Sequence, residues 1–362
     1  MRRIRAAVCH AFGAPLAIEE VALRPPGPGE VEVALGAVAI CHSDIHYAEG
    51  AWGGDLPAVY GHEASGRVTA LGPGVRGWEV GQTVIVTLMR ACGGCASCAG
   101  GAPVYCHDRP DLPPPLSLPD GGPLKAAMAC GAFAERVVVH PSQLAAVPEE
   151  MPAEIACLLA CGVITGIGAA VNTARVRPGQ VVVVIGAGGV GLNAIQGARL
   201  AGAARVIAVD LSPAKLEDAH AFGATDGVLA TDPKPWRAAR AAAGGRAADA
   251  VLVTVGAIPA YETALRYLAP GGRVVMVGMP HSGAMASYEP VVVAALGQGM
   301  LGSLMGDVVL ARDIPWMVDL WRQGRLKLEE LVSGRWPLAQ INEAIADTRA
   351  GRARRNVILF EP

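Results

Sequence analysis

The sequence predicts an α/β protein that combines a mostly-β domain with a domain built on a doubly wound parallel sheet. Three observations support this fold class. Short β-type runs with glycine and proline turns occupy residues 1–150, strands and helices alternate from about residue 163, and a glycine run joins one of these strands to the next helix. The length of 362 residues is also typical of two domains rather than one.

The N-terminal part has the pattern of half-buried strands. Residues 31–35 and 67–71 alternate between apolar and polar side chains at a period of two or nearly so. Residues 107–123 are rich in proline and glycine, which predicts a loop.

The part after residue 163 has the pattern of alternating strands and helices. Residues 181–185 form a continuous β-branched run, as expected of a strand that is buried on both faces. The other predicted elements are a helix at 190–201, strands at 205–209, 250–255 and 273–277, helices near 309–323 and 338–350, and an end strand at 356–360.

Composition and charge narrow the choice of partners and compartment. The net charge of −2 gives no reason to expect a nucleic-acid partner, because phosphate binding needs a basic surface. No apolar run is long enough to cross a membrane, and no apolar core follows the basic residues 1–5 as in a signal peptide. We therefore expect a cytoplasmic protein, in which an odd count of nine cysteines favours metal binding over disulfides.

A glycine run of the form G-x-G-x-x-G lies at residues 186–191, between a predicted strand and a predicted helix. Such glycines permit a tight turn and let the backbone approach a pyrophosphate at the helix N-terminus. Asp210 ends the next strand, where a carboxylate binds the ribose hydroxyls and repels a 2′-phosphate. The sequence therefore predicts NAD rather than NADP, with Lys215 near the ribose; a glycine turn without a ligand is the alternative. The predicted contacts in the run are Gly186, Gly188, Gly189, Val190 and Gly191.

Four cysteines in one short segment form the strongest local signal. Cys92, Cys95, Cys98 and Cys106 have the spacing C-x2-C-x2-C-x7-C. Four thiolates complete a tetrahedral shell and leave no position for substrate, so the spacing predicts a structural zinc. The alternatives are four reduced structural thiols, or a zinc ribbon that reads DNA, which the missing basic and aromatic surface disfavours.

A second candidate metal site is dispersed along the chain. Cys41, His62 and Cys161 would supply two thiolates and one imidazole, which leaves a fourth position open as at a catalytic zinc. Spacing alone does not show that the three meet. A lone cysteine is usually a small buried apolar residue, and a lone histidine is usually structural or exposed.

Together these motifs resemble the zinc-containing medium-chain alcohol dehydrogenases over nearly the full length of the chain. The motifs are residues 41–44 (CHSD), 61–63 (GHE), 161–166 (CGVITG) and 354–357 (RRNV), with the glycine run and the four-cysteine segment. The C-terminal third is most similar to the branch that includes class III, glutathione-dependent formaldehyde dehydrogenases.

The resemblance implies a GroES-like catalytic domain that is split by a Rossmann NAD-binding domain, with the active site in the cleft. The implied boundaries are 1–162 for the catalytic domain with a structural zinc lobe at about 90–107, 163–300 for the NAD-binding domain, and 301–362 for the return to the catalytic domain. Two zinc ions per chain are implied.

The resemblance also implies roles for residues around the open zinc, which would act as a Lewis acid on the alcohol. Ser43 matches the hydroxyl that takes the alcohol proton, and His46 matches the end of the proton relay. Asp44 and Glu63 match acids that orient the zinc ligands.

Further implied contacts are made with the cofactor. Thr165, Val190 and Val277 match residues beside it, and Arg355 matches a guanidinium that pairs with the pyrophosphate. At His42 several relatives carry arginine against the pyrophosphate. A mostly neutral imidazole there predicts faster cofactor release.

The substrate is the least specified part of the prediction. Apolar residues near Leu88 and Trp52 favour an apolar or aromatic alcohol, either primary or secondary, that is converted reversibly to an aldehyde or ketone. The rivals are an S-hydroxymethyl thiol adduct of formaldehyde, a quinone or enone substrate, and a non-catalytic metal or nucleotide sensor. Arg109 lies one position from the anion-binding arginine of class III enzymes.

Residues 272–277 and 290–300 are expected to support a homodimer, with a tetramer as the alternative.

Overall fold

The computed structural model describes residues 1–361, which form two compact units. The first comprises Met1–Cys161 and the chain from Val309 onward, and the second comprises Gly162–Val308. The second unit is thus inserted, along the chain, between the two segments of the first. The boundary predicted at residue 300 falls inside a strand, Gly299–Gly302, that pairs with the sheet of the second unit.

The described residues contain eighteen strands and eleven α-helices, besides short 3₁₀ and π-helical turns. The strands are β1 (Arg2–Cys9), β2 (Ala17–Leu23), β3 (Val31–Ala39), β4 (Ala58–Val59), β5 (Glu63–Leu71), β6 (Thr83–Thr87), β7 (Leu116–Ser117), β8 (Pro123–Ala126), β9 (Arg136–Val139), β10 (Leu144–Ala146), β11 (Val181–Ile185), β12 (Arg205–Asp210), β13 (Asp226–Leu229), β14 (Ala248–Val253), β15 (Leu268–Met276), β16 (Gly299–Gly302), β17 (Val332–Pro337) and β18 (Arg355–Leu359). The helices are α1 (His42–Ala48), α2 (Ala96–Ala99), α3 (Ala153–Ala156), α4 (Gly162–Gly168), α5 (Gly189–Leu200), α6 (Pro213–Ala221), α7 (Pro235–Ala242), α8 (Ile258–Ala264), α9 (Pro290–Ala295), α10 (Leu310–Arg322) and α11 (Ile341–Arg349).

The first unit is mostly β structure, as predicted. Strands β1, β2, β7, β8 and β4 close a small barrel, and a second sheet has the order β10-β6-β5-β3-β18-β17, with β9 also paired to β3. Its core is rich in valine, isoleucine and leucine and includes the buried Phe133. The C-terminal β18 pairs antiparallel with β3, which places Val357 opposite Ala39. The end of the chain therefore lies beside the segment that leads to Cys41.

The second unit contains the predicted doubly wound sheet. Its strand order is β13-β12-β11-β14-β15-β16, and every adjacent pair is parallel. All five residues of β11 are buried, as predicted for a strand covered on both faces. The order reverses between β11 and β14, and in such sheets ligands bind at the carboxyl ends of the strands near this reversal.

The ends of several predicted elements shift by a few residues. The helix expected at 190–201 is Gly189–Leu200, and the strand expected at 273–277 is the end of Leu268–Met276. The helix expected at 338–350 begins as a 3₁₀ turn, Leu338–Gln340, before α11. Such differences arise because terminal residues satisfy their hydrogen bonds in more than one way.

Within residues 1–361 no single helix combines the length and the apolar character that a membrane span needs. The segments Ala153–Ala160 and Gly162–Thr173 meet that test only as a pair joined across a bend.

Candidate active site

The three dispersed residues Cys41, His62 and Cys161 converge in the first unit. One ligand atom from each, together with a carboxylate oxygen of Glu63, forms a group whose members all lie within 4.8 Å of one another. Cys41 is the N-cap of α1 just after β3, His62 precedes β5, and Cys161 interrupts the helical turns before α4. Since β3 and β5 are neighbours in the sheet, their ends bring Cys41 and His62 together.

Asp44 forms hydrogen bonds to two members of this cluster, Cys41 and His62. Its buried carboxylate accepts hydrogen bonds from the backbone N–H of Cys41 at 3.0 Å and of Gly61 at 2.9 Å. It also accepts from Nδ1 of His62 at 2.9 Å. With the Nδ1 proton held by Asp44, Nε2 of His62 presents its lone pair.

The donor set of this cluster fits a zinc ion. Nε2 of His62 is buried and has no hydrogen-bond partner among the residues that the structure describes. Two sulfur atoms and one imidazole nitrogen are the ligand types that zinc prefers, and the set leaves a fourth position. The Cys161 thiol, as a hydrogen-bond donor, lowers the pKa of Cys41 well below its usual value, which favours a thiolate ligand.

Glu63 and Arg355 form a buried ion pair beside the cluster. The Arg355 guanidinium donates to Oε2 of Glu63, and the two side chains are 6% and 0% exposed. Burial raises the pKa of Glu63 to about 7, although the positive charge of Arg355 opposes this shift. The structure thus gives Arg355 a buried partner, Glu63, because β18 directs the arginine into the interior of the first unit, and its pairing with a pyrophosphate stays a prediction.

Ser43 and His46 lie on α1, three residues apart, so that their side chains project from the same side of the helix. The imidazole of His46 packs against the indole of Trp52, with ring centroids 5.1 Å apart. Trp52 also meets Tyr47 edge to face at 5.0 Å. His42, the first residue of α1, is exposed.

The four-cysteine segment also converges. The sulfur atoms of Cys92, Cys95, Cys98 and Cys106 lie within 4.8 Å of one another, with Cys92–Cys98 at 3.9 Å and Cys95–Cys106 at 3.8 Å. Backbone N–H groups of Cys92 and Cys95 donate to the sulfurs of Cys106 and Cys92. Gly93, with φ of 78°, permits the tight turn between the first two cysteines. Four thiolates held in this way fit a closed zinc site.

In the second unit the glycine turn joins β11 to α5. A Cβ atom at Gly191 would lie 1.8 Å from the carbonyl oxygen of Gly186, and one at Gly186 would lie 2.3 Å from Val255. Gly188 is different, because its φ is −81° and no atom would lie within 4 Å of a Cβ there. The protein itself therefore does not require glycine at position 188, whereas a dinucleotide that approaches the backbone does.

The other predicted cofactor residues of this unit lie near the carboxyl ends of its strands. Asp210 ends β12 and accepts hydrogen bonds from the backbone N–H of Ala187 at 2.8 Å and Ser212 at 3.0 Å. Val277 follows β15, and Lys215 lies in the first turn of α6. Thr165 lies on α4, where its hydroxyl contacts the sulfur of Met305. The carboxylate of Asp210 thus lies at the glycine turn, as an NAD site requires.

Two further residues correct or extend the sequence prediction. Arg109 donates to the carbonyl oxygen of Val104, which gives this arginine a role within its own loop. Asn356 was missed, although it lies in the quoted motif beside Arg355. An amide that interrupts an apolar end strand is a signal of a buried hydrogen-bonding role, and its side chain is 0% exposed.

Comparison with known proteins agrees with this geometry. Residues 27–149 match the alcohol dehydrogenase GroES-like domain, and residues 189–323 match the zinc-binding dehydrogenase family. An NDMA-dependent alcohol dehydrogenase of Amycolatopsis methanolica is 34% identical over 99% of both chains. An S-(hydroxymethyl)glutathione dehydrogenase of Escherichia coli is 36% identical over 98% of this chain and 99% of its own. The crystal structure of benzyl alcohol dehydrogenase from Acinetobacter calcoaceticus superposes with a TM-score of 0.94, at 29% identity and with full coverage of both chains.

These findings confirm the predicted resemblance, fold class and enzyme class. The family model and the two convergent clusters together account for zinc, and the Rossmann-type unit accounts for NAD. The chain therefore belongs to the zinc-containing alcohol dehydrogenases and is an oxidoreductase that acts on CH–OH groups with zinc and NAD.

Proposed function

We propose that the chain oxidises an apolar or aromatic alcohol reversibly, at a zinc ion held by Cys41, His62 and Cys161. The observation that carries this proposal is the convergence of two thiols and one imidazole, from three distant parts of the sequence, around an unpartnered Nε2 atom. A zinc ion in this position supplies a Lewis acid. Asp44 holds His62 in the tautomer that the metal requires.

Ser43 and His46 are the proposed path for the proton. The Ser43 hydroxyl accepts the proton of the alcohol O–H group and passes its own proton on to His46, which releases it to solvent. The spacing of the two residues on α1 and the partial exposure of His46 support this order. The carbon-bound hydrogen leaves with its electron pair as a hydride, for which NAD supplies the acceptor.

The proposed NAD site comprises the turn at residues 186–191 and Asp210, with Thr165, Lys215 and Val277 nearby. Because no atom of the described residues would lie within 4 Å of a Cβ at Gly188, Gly188→Ala should weaken NADH binding about tenfold without lowering the melting temperature. Fluorescence titration of NADH measures this. An unchanged dissociation constant would contradict the proposed approach of the pyrophosphate.

The proposed substrate class rests on the side chains beside His46. Trp52 and Tyr47 form an aromatic wall there, and Leu88 packs against the core of the same unit. Aromatic faces of this kind favour a flat apolar substrate. The relatives named for benzyl alcohol and for S-(hydroxymethyl)glutathione suggest the two compounds to compare.

A panel of alcohols with NAD and with NADP tests the proposed function. We expect benzyl alcohol to give a higher kcat/KM than S-(hydroxymethyl)glutathione, because Arg109 is engaged by the carbonyl of Val104. We also expect NAD to be preferred to NADP because of Asp210. Turnover of the thiol adduct alone would replace the proposed substrate class, and reduction of quinones without alcohol oxidation would exclude it.

We further propose a cytoplasmic homodimer. The outer edge of β16 has no partner strand among the residues described, and exposed apolar side chains accompany it. These side chains are Met285, Tyr288, Val291, Val292, Leu296, Met300, Leu301 and Leu304. An open edge with this composition favours pairing with a second copy of the chain. None of the nine cysteines forms a disulfide with another described residue, which is in keeping with a reducing compartment. Analytical ultracentrifugation would contradict the dimer if the chain sediments as a monomer, and a tetramer would require a second interface.

A further inference from the structure

Asn356 is the centre of a buried hydrogen-bond cluster in the C-terminal part of the first unit. Its side-chain Nδ2 donates to the carbonyl oxygen of Ala344 at 3.1 Å, to Oδ2 of Asp347 at 2.9 Å and to the hydroxyl of Thr348 at 3.0 Å. Its Oδ1 accepts from the indole N–H of Trp336 at 3.0 Å. The side chain thereby fixes β18 to both β17 and α11.

The neighbouring strand leaves space for this cluster. A Cβ atom on Gly334, which pairs with Asn356 in the sheet, would lie 2.1 Å from Oδ1 of Asn356 and 2.6 Å from Nε1 of Trp336. Any larger residue at position 334 would displace the Asn356–Trp336 hydrogen bond. Two residues of β17 thus accommodate the Asn356 amide: Gly334 leaves space for it, and Trp336 donates a hydrogen bond to it.

The backbone around Asn356 contacts the neighbours of two proposed zinc ligands, Cys41 and His62. The carbonyl oxygen of Asn356 accepts a hydrogen bond of 2.9 Å from the N–H of Ile40, the residue just before Cys41. The residue before Asn356 is Arg355, whose guanidinium binds Glu63, the residue just after His62. A shift of β18 would therefore move the surroundings of Cys41 and His62 together.

We infer that Asn356 is a positioning residue for the reaction, which acts through Ile40 and the Arg355–Glu63 pair on the geometry of the Cys41–His62–Cys161 cluster. This inference rests on the proposed function, since it takes the cluster to be the catalytic zinc site. Partners that orient metal ligands from outside the coordination shell typically change metal affinity or activity by 10–100-fold when they are removed.

The chain offers a matched control on the same helix. Asn342 in α11 uses its amide to bind both the N–H and the carbonyl of Leu16, each at 2.9 Å. The replacement Asn342→Leu removes the hydrogen bonds of a partly buried amide, whereas Asn356→Leu removes those of a fully buried one, and it does so at a contact beside the start of β2. Both changes should lower the melting temperature, because each leaves polar partners unsatisfied.

The test compares Asn356→Leu, Trp336→Phe and Asn342→Leu in the full-length enzyme. We expect Asn356→Leu to lower kcat by about tenfold and to shift the visible absorption bands of cobalt bound in place of the catalytic zinc. We expect Trp336→Phe, which removes a single hydrogen bond, to cause about a two- to threefold loss in the same direction. Asn342→Leu should retain the kcat and the cobalt spectrum of the unaltered enzyme.

The outcomes separate this inference from the proposed function. If the unaltered enzyme binds one metal ion per chain instead of two, the proposed catalytic site fails. If it binds two, but the spectra of Asn356→Leu and Trp336→Phe equal that of the unaltered enzyme, the positioning role is wrong. Equal losses of kcat in Asn356→Leu and Asn342→Leu would reduce Asn356 to a purely structural role. If Asn356→Leu does not fold, Trp336→Phe decides the matter.

Discussion

The two cysteine clusters of the first unit are built in opposite ways. The ligand atoms of the four-cysteine cluster come from one short segment, three of the four residues are partly exposed, and local backbone N–H groups hold the sulfurs. The residues Cys41, His62 and Cys161 come from distant segments of the chain. One buried carboxylate, that of Asp44, forms hydrogen bonds to Cys41 and His62. A local cluster can close a shell around a metal by itself. A cluster assembled by the fold can leave one coordination position of the metal open, because the surrounding sheet holds the ligands in place.

Cys41→Ala should produce the largest effect, because it removes a ligand from the open site. We expect kcat to fall by at least about 10³-fold, since a Lewis acid contributes several kcal/mol to catalysis. Metal analysis should show one zinc ion per chain instead of two, while NADH titration remains unchanged. Retention of both zinc ions with substantial turnover would show that Cys41 is not a ligand.

Cys95→Ala should show the complementary pattern, with a loss of stability as its main effect. Three thiols cannot complete the closed shell, so the segment around residues 92–106 loses the folding free energy supplied by its metal. A loss of about 2 kcal/mol corresponds to a decrease of about 4–8 °C in melting temperature for a unit of this size. Calorimetry and the kcat of the surviving folded enzyme measure the two sides of this prediction. A kcat as low as that of Cys41→Ala would contradict the assignment of a structural role to the four-cysteine cluster and a catalytic role to the other.

The contrast between the clusters also explains what the sequence could and could not predict. The C-x2-C-x2-C-x7-C spacing predicts a closed site because its geometry is local, and the glycine turn with Asp210 is local in the same sense. The meeting of Cys41 with His62 depends on the pairing of β3 with β5, which no short-range pattern contains; only the family resemblance implied it.

The partner of Arg355 was unpredictable for a similar reason. The direction of its side chain follows from the pairing of β18 with β3, and the role of Asn356 follows from the packing of β18 on α11. The edge strand Gly299–Gly302, which spans the predicted boundary, was not anticipated because two glycines in four residues give it little strand signal of its own.

Asp44→Asn tests whether the Asp44 carboxylate orients the ligands Cys41 and His62 of the open zinc site. An amide retains the size of the side chain, but its NH₂ group replaces one of the two acceptor oxygens. It therefore faces either the N–H of Cys41 or the N–H groups of Gly61 and His62. We expect kcat/KM to fall by about 10–100-fold, with weaker retention of one of the two zinc ions under dialysis against a chelator. Asp120→Asn is the control, because Asp120 is exposed and, among the described residues, accepts the backbone N–H of Gly122 alone. Equal zinc retention in both variants would contradict the orienting role of Asp44.

Cys130→Ala should have the smallest effect and shows how far the comparison extends to the other cysteines. Cys130 is 1% exposed, and burial raises the pKa of its thiol to about 12, so that it stays protonated at neutral pH. Its sulfur accepts a weak hydrogen bond of 3.6 Å from Gln143, whose amide also binds the carbonyl oxygens of Thr87 and Ala129. Because Gln143 keeps these two acceptors, replacing the thiol by a methyl group should cost only about 1 kcal/mol. Both zinc ions and kcat should be retained, since a buried protonated thiol is a small apolar side chain and not a ligand. Loss of a zinc ion from Cys130→Ala would mean that the open site uses a third cysteine besides Cys41 and Cys161, which would contradict the ligand set proposed for the dispersed cluster.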